Sequence, residues 1–181
     1  MKSVYNFVVT PAKSRYNNTK NIEGKELIVN TEIFNHQYVS REAIVKAIPT
    51  VGNTDIKVGD KVIVHHNVFR RWHNQHGIEK NSKSYIDEDT YLAQPDQIFL
   101  HKDTEWQAQK GYCFVAPVKS TDKLNVDKEK PLVGIVKHTD GTVNKGDLIG
   151  FRPNSEYEFI INRQKLYRLL SKFITIKYEY Q

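Results

Sequence analysis

Residues 65–77, HHNVFRRWHNQHG, concentrate side chains with binding chemistry. His73 and His76 are three positions apart and, together with His66, could ligate a divalent metal such as zinc through imidazole nitrogens. The stretch contains no cysteine or carboxylate that would complete such a set. We therefore interpret it as an extended loop, and we expect neither a metal nor another cofactor.

The same stretch contains Arg70, Arg71 and Trp72, which combine two positive charges with a large aromatic ring. Guanidinium groups beside an indole can bind a phosphate or stack with a nucleic-acid base. Arginine and tryptophan are also enriched at subunit interfaces. The sequence leaves an anion site and an interface open. We favour the interface and rank nucleic acid last among the partners.

Two further groups are weaker candidates for catalysis. Asp87, Glu88 and Asp89 are adjacent carboxylates, and paired carboxylates can perform acid–base chemistry. Adjacent side chains on an extended segment point to opposite faces, so we interpret this segment as a turn. Cys113 is predicted to be a small core residue rather than a nucleophile. No Ser/His/Asp set or phosphate-binding glycine loop is present, and we expect no enzyme.

The composition restricts the class of protein. The chain has 181 residues and a net charge of +6, spread along the sequence, which suits solubility and weak electrostatic steering. It has one cysteine, so an internal disulfide is impossible. No apolar run approaches the roughly 20 residues of a membrane span. The sequence therefore predicts a soluble, cytoplasmic protein without a membrane partner.

The elements that would position these residues occur in two copies, the second of them shortened. VVTPAKS at 8–14 is similar to FVAPVKS at 114–120, and AIVKAIPTVGNTDIKVGDKVIV at 43–64 is similar to GIVKHTDGTVNKGDLIGF at 134–151. YIDEDTYLAQPDQIFL at 85–100 aligns without gaps on IINRQKLYRLLSKFIT at 160–175. The conserved order of the blocks indicates an internal duplication.

Short runs rich in β-branched and aromatic residues predict strands, among them NFVVTPA, EAIVKAI, DKVIVHH, TYLAQP and QIFLHK. Pro11 and Pro117 are expected directly after their strands. Residues 162–173 have helix-like spacing, but their alignment with a segment that contains Pro95 favours strand–turn–strand. Asp60 and Asp147, in two Gly-Asp turns, are predicted to bond the backbone through their side chains. The chain is therefore predicted to be all-β.

Four stretches cover most of residues 5–101 of the first copy: FVVTPAKS, SREAIVKAIPTVGN, IKVGDKVIV and SYIDEDTYLAQPDQIFL. Together they resemble the co-chaperonin (GroES) family. The resemblance implies two GroES-like β-barrels in tandem, 1–103 and 104–181, the second trimmed, in a homo-oligomeric ring. Tandem forms occur among plastid relatives and divergent forms in bacterial viruses. A viral member would act in the host cytoplasm.

The resemblance also implies a site for a partner. In the family, a long loop orders on a group I chaperonin and inserts an apolar tripeptide between two helices. Here the loop corresponds to residues 15–40, and Leu27, Ile28 and Val29 occupy the position of the tripeptide. The segment is rich in Asn, Lys and Glu, which favours mobility. The second copy is too short here for such a loop, so each chain would carry one.

Two functions follow from these observations. The first is a co-chaperonin that closes the chamber of a chaperonin, with ATP hydrolysed by the partner and no catalysis of its own. The alternative is a structural or assembly protein, for example a component of a viral particle. In that case the segments at 15–40 and 65–84 would contact neighbouring subunits.

Overall fold

The structure is a computed structural model, and it describes residues 2–16, 19–28, 39–120 and 128–179. The chain divides into two compact units, Met1–Glu105 and Trp106–Gln181, close to the boundary after residue 103 that the sequence indicates. Both units consist of strands, turns and short 3-10 helices, so the prediction of an all-β chain is confirmed. Among the described residues, no helix has the length and apolar character needed to cross a membrane.

The first unit is built on one antiparallel sheet and two separate hairpins. Its strands are β1 (Phe7–Pro11), β2 (Thr19–Ile22), β3 (Lys25–Ile28), β4 (Glu42–Ala47), β5 (Lys61–Val64), β6 (Arg71–His73), β7 (Glu79–Asn81), β8 (Tyr85–Asp87), β9 (Thr90–Ala93) and β10 (Ile98–Lys102). The sheet has the order β10-β5-β4-β1-β9-β8. β2 pairs with β3, and β6 pairs with β7.

The second unit repeats this sheet. Its strands are β11 (Trp106–Ala108), β12 (Tyr112–Lys119), β13 (Glu129–Thr139), β14 (Leu148–Phe151), β15 (Tyr157–Ile161), β16 (Gln164–Leu170) and β17 (Ile174–Tyr178). Six of them form an antiparallel sheet in the order β17-β14-β13-β12-β16-β15, which is the strand order of the first unit. In the described parts of both units the sheets remain open, so the predicted closed barrels are not confirmed.

The duplication extends to the register of the strands. Val9 lies opposite Val45 in the first unit, and Val115 lies opposite Val136 in the second. Each pair of strands carries a register shift at the same place, just before Val9 and just before Val115. β-Bulges are usually retained within a protein family, so a bulge at the same place in both units supports their common origin.

The two Gly-Asp turns are also alike, and the predicted side-chain bonds are confirmed. Asp60 accepts the backbone N–H of Lys57 at 2.8 Å, and Asp147 accepts that of Asn144 at 2.8 Å. The preceding glycines have φ of 95° and 94°, a left-handed conformation that glycine adopts without strain. The sequence identifies these turns because every part of the interaction is local.

One block of the sequence alignment is wrong by one residue. It pairs Tyr91 with Leu166, whereas the structure places Tyr91 opposite Val9 and Tyr167 opposite Val115. A shift of one residue moves every side chain of a strand to the other face. The hairpin formed by β15 and β16 is longer than that of β8 and β9, and the sequences there are too different to locate the gap.

Two details of the second unit test the local predictions. Residues 162–173 form a turn, β16 and a 3-10 helix, so strand–turn–strand is the correct interpretation. Pro117, in contrast, lies inside β12 rather than after it. The pairing with β13 shifts register between Pro117 and Lys119, which reduces the need for a hydrogen bond from the proline nitrogen.

The side chain of Asp140 accepts hydrogen bonds from three separate parts of the second unit. One carboxylate oxygen accepts the N–H of Gly111 at 2.7 Å and the hydroxyl of Ser171 at 2.9 Å. The other accepts the N–H and the hydroxyl of Thr142 at 3.0 and 2.6 Å. Burial raises the pKa of this carboxyl, but the hydrogen bonds outweigh burial, and its pKa lies below the ordinary value.

This arrangement predicts how the second unit responds to acid. Since the folded-state pKa of Asp140 is depressed, its contribution is present above the ordinary pKa of about 3.9 and is lost as the pH falls through the folded value. We expect Asp140→Asn to lower the free energy of unfolding by about 1–3 kcal/mol at pH 7, and by less at pH 3. Urea denaturation at both pH values measures the difference.

The exposed Asp55 provides a matched control for this substitution. Asp55→Asn should change the urea midpoint little at either pH. An Asp140→Asn protein that loses the same stability at pH 3 as at pH 7 would contradict the role assigned to the ionised carboxylate.

Candidate functional site

The two segments that the second copy lacks, 15–40 and 65–84, meet in the first unit. The ends of the first segment are tied together, because the N–H of Ser40 donates to the carbonyl of Arg15 at 2.8 Å. Tyr16 and Val39 form a β-bridge next to this bond. Their side chains are 4% and 2% exposed and belong to the core of the unit. The ends of the predicted loop are therefore fixed in the core.

The second segment is a folded insertion. It begins with a 3-10 helix, His66–Val68, and continues as the hairpin of β6 and β7. The side chain of Asn74 accepts the N–H groups of His76 and Ile78 at 3.0 and 2.9 Å and so closes the turn. The prediction of an extended loop at 65–77 is wrong, because Asn74 and Gly77 supply the chemistry of a tight turn.

Hydrogen bonds join the two segments at what we call the insertion base, which comprises Arg15, Tyr16, Phe69, Arg71 and Asn81. The N–H of Arg71 donates to the hydroxyl of Tyr16 at 2.7 Å, and the Arg71 guanidinium lies 4.9 Å from the centre of the Tyr16 ring. Nη2 of Arg15 donates to the carbonyl of Phe69 at 3.2 Å and to Oδ1 of Asn81 at 2.9 Å.

The insertion base is anchored on the main sheet through Tyr91 of β9. The guanidinium of Arg15 lies 5.1 Å from the centre of the Tyr91 ring and 5.6 Å from that of Tyr85. Phe69 contacts Tyr91 edge to face, with ring centres 4.8 Å apart. Burial raises the pKa of Tyr91 to about 12, against the opposing charge of Arg15. The hydroxyl is therefore neutral, and the ring serves as a packing surface.

Within the first segment, β2 and β3 form a hairpin that we call the arm. Its turn lies at Glu23 and Gly24, which have φ of 53° and 80°. Ile22 is opposite Lys25, so Ile22 and Leu27 are diagonal neighbours on one face. They are 52% and 49% exposed. The arm therefore presents two apolar side chains to solvent.

The predicted tripeptide is only partly described by the structure. Leu27 and Ile28 lie in β3, and Val29 lies outside the described residues, as does the short segment of the second copy at 121–127. Sequence reasoning missed Ile22. The signal that could have identified it is Gly24, which marks a hairpin turn and so places Ile22 and Leu27 on one face.

The structure separates the side chains of Arg71 and Trp72. Arg71 faces Tyr16 and forms an ion pair with Glu79 at 3.0 Å. Trp72 is on the opposite face of β6, across from Lys80, and is 44% exposed. Arg70 accepts the N–H of Ser82 through its backbone carbonyl at 3.1 Å. Trp72 is therefore exposed on the face of β6 opposite to that of Arg71.

The histidines of the insertion take part in local structure. Nδ1 of His65 accepts the N–H of Asn67 at 3.1 Å, and the rings of His65 and His66 have centres 4.2 Å apart. Over the part of the chain that the structure describes, no three His, Cys, Asp or Glu side chains are grouped to hold a metal ion. The possible ligand set of His66, His73 and His76 is not among the groupings found in those residues.

The other candidates for chemistry have structural positions. Oδ1 of Asp87 accepts the N–H of Asp89 at 3.1 Å, which stabilises the turn between β8 and β9. Glu88 lies in that turn. Cys113 is fully buried, as predicted for a core residue, and burial raises the pKa of its thiol to about 12. A thiol with this pKa is a poor nucleophile at neutral pH.

The candidate site consists of the insertion base in the core and the arm with its two exposed apolar side chains. Its description rests on this geometry alone. No protein-family model matches the chain, and a search of curated proteins finds no significant relative.

Proposed function

We propose that this chain is a co-chaperonin-like protein that caps a group I chaperonin through the arm. The observation that carries the proposal is the exposed pair of Ile22 and Leu27 on a hairpin whose strands, among the described residues, pair only with each other. A two-stranded hairpin is marginally stable by itself. An arm of this kind gains stability when its apolar face packs against a partner.

The energetics favour many weak contacts over one strong contact. Burial of each apolar side chain contributes roughly 1.5–3 kcal/mol, and ordering of the arm offsets part of this gain. A single arm therefore binds weakly. A homo-oligomeric ring would present several arms at once and would bind tightly by multivalency. The two units supply the scaffold, and ATP hydrolysis belongs to the partner.

Substitution of the arm tests the proposal. We expect Ile22→Asp and Leu27→Asp each to reduce retention of the chain by a group I chaperonin with ATP by at least about tenfold, because a buried carboxylate is strongly unfavourable. A pull-down measures retention. Ile160→Asp is the matched control, since Ile160 is 71% exposed in the second unit, and it should bind like the wild type. Failure of the wild type to bind would exclude the proposal.

A second function is supported by the insertion hairpin. Trp72 and Ile78 are 44% and 55% exposed on a hairpin that the second unit lacks. Aromatic side chains of this kind are enriched at interfaces between subunits. A structural or assembly protein would use them to bind neighbouring copies. That function predicts no retention by the chaperonin and an assembly, seen by size-exclusion chromatography, that Trp72→Ala dissociates.

A further inference from the structure

We propose that the insertion at 65–84 is a clamp that holds both ends of the segment bearing the arm and thereby positions the arm for its partner. The identity of this partner, a group I chaperonin, rests on the function proposed above. The clamp is a property of the free chain, so it can be tested without a chaperonin.

The first connection of the clamp is made by Tyr16. Its ring is almost fully buried, and its hydroxyl accepts the N–H of Arg71 at 2.7 Å. The bond is partly buried, and a backbone N–H in such a position has an energetic cost when it loses its acceptor. The start of the arm segment therefore supplies the hydrogen-bond partner that the first strand of the insertion hairpin needs.

The second connection is made by Arg15, which bonds the insertion on both sides of its hairpin turn. It bonds the carbonyl of Phe69, before β6, and the side chain of Asn81, in β7. Its guanidinium also lies over the ring of Tyr91 in the main sheet. The planar guanidinium makes these contacts together, which the point charge of a lysine cannot reproduce.

The third connection joins the two ends of the arm segment. Ser40 bonds Arg15, and Val39 packs in the same core cluster as Val68 and Phe69 of the insertion. In the second unit, the equivalent connection closes by a bond from Ser120 to Lys128 at 2.8 Å without any insertion. Closure of a longer loop costs more conformational entropy. The insertion accompanies the longer segment because it supplies the contacts that close it.

Hydrogen exchange in the free protein tests the clamp through effects that cross from one segment to the other. Asn81→Ala, in the insertion, should speed exchange of the Ser40 amide by about fivefold or more. Tyr16→Phe, in the arm segment, should do the same for the Ser82 amide, which bonds Arg70 within the insertion. Amides of β12 and β13 in the second unit serve as the internal reference.

Tyr5→Phe is the control for the loss of a hydroxyl, because Tyr5 is 68% exposed in the same unit. It should leave both amides unchanged. If Asn81→Ala and Tyr16→Phe affect exchange only within their own segments, the clamp is overturned. Because both readouts are local amides in a folded protein, the result does not depend on the chaperonin.

Binding then tests the positioning role. Asn81→Ala keeps Ile22 and Leu27 intact, yet it should weaken retention by the chaperonin about threefold or more, because the arm is held less firmly. If Asn81→Ala speeds hydrogen exchange of the Ser40 amide but leaves retention by the chaperonin unchanged, the positioning role is overturned. A wild-type chain that does not bind would instead overturn the proposed function, and exchange alone would then decide on the clamp.

Discussion

Phe69→Ala is expected to lower the free energy of unfolding of the first unit by about 3–5 kcal/mol, which is typical of a large aromatic side chain removed from a core. Phe69 is fully buried, although it lies in an insertion that the sequence predicts to be an extended loop. It contacts Tyr91 edge to face and shares a core cluster with Tyr16 and Val39. Its removal opens a cavity beneath both segments of the insertion base.

Trp72→Ala is the matched control, because it removes an even larger aromatic side chain from the same insertion. Trp72 is 44% exposed, so we expect a loss below about 1 kcal/mol. Urea denaturation, with hydrogen exchange of β1, β4 and β5 as the local readout, compares the two variants. A loss for Phe69→Ala as small as that expected for Trp72→Ala would show that the insertion is no part of the core.

Local sequence patterns predict strands and turns in this chain, but they do not predict which of these two aromatic residues is buried. Strands β1, β4, β5, β9 and β10 follow from local runs of β-branched and aromatic residues, and the Asp60 turn follows from two adjacent residues. Phe69 and Trp72 are three positions apart in one polar stretch, and no local pattern distinguishes them. The burial of Phe69 depends on Tyr16 and Tyr91, which come from distant parts of the chain.

The residues of the candidate site could also be predicted only in part from the sequence. Leu27 was identified through resemblance to a family, whereas Ile22 became visible only when pairing placed it beside Leu27. Arg71 was predicted as an interface or anion-binding residue together with Trp72. Its position against Tyr16 and Glu79 results from the strand register of β6, which alternates the faces of adjacent side chains. The bond between Arg15 and Asn81 spans 66 positions and carries no sequence signal.

Gly134→Ala is expected to destabilise the second unit by about 3 kcal/mol, because the position has no space for a methyl group. A Cβ at Gly134 would lie 2.5 Å from Cγ2 and 2.7 Å from Cβ of Val115, and 3.2 Å from the carbonyl oxygen of Ala116. Val115 is fully buried and β-branched, so it has little freedom to move aside. Relief therefore requires displacement of the backbone of β12 or β13.

Cys113 provides the measurement for this variant. It is the chain's one cysteine and is buried in the second unit, so alkylation of its thiol reports opening of that unit. A loss of about 3 kcal/mol corresponds to a labelling rate more than about a hundredfold faster under native conditions. Gly150→Ala is the control, because its added Cβ would meet the nearest atoms at 3.5–3.6 Å, an ordinary contact. Comparable labelling of the two variants would contradict the steric argument.

The duplicated scaffold explains why this substitution is informative. Ala43 lies opposite Pro11 in the first unit, as Gly134 lies opposite Pro117 in the second, so the first unit already carries the methyl group that the second excludes. The strand order and the bulge are shared, and the difference therefore lies in the packing of Val115. Val115→Ala in the Gly134→Ala background removes the clashing Cγ2 and keeps the Cβ contact at 2.7 Å, so it should recover only part of the lost protection of Cys113. Without any recovery, the remaining Cβ contact or strain elsewhere in β13 would have to explain the loss.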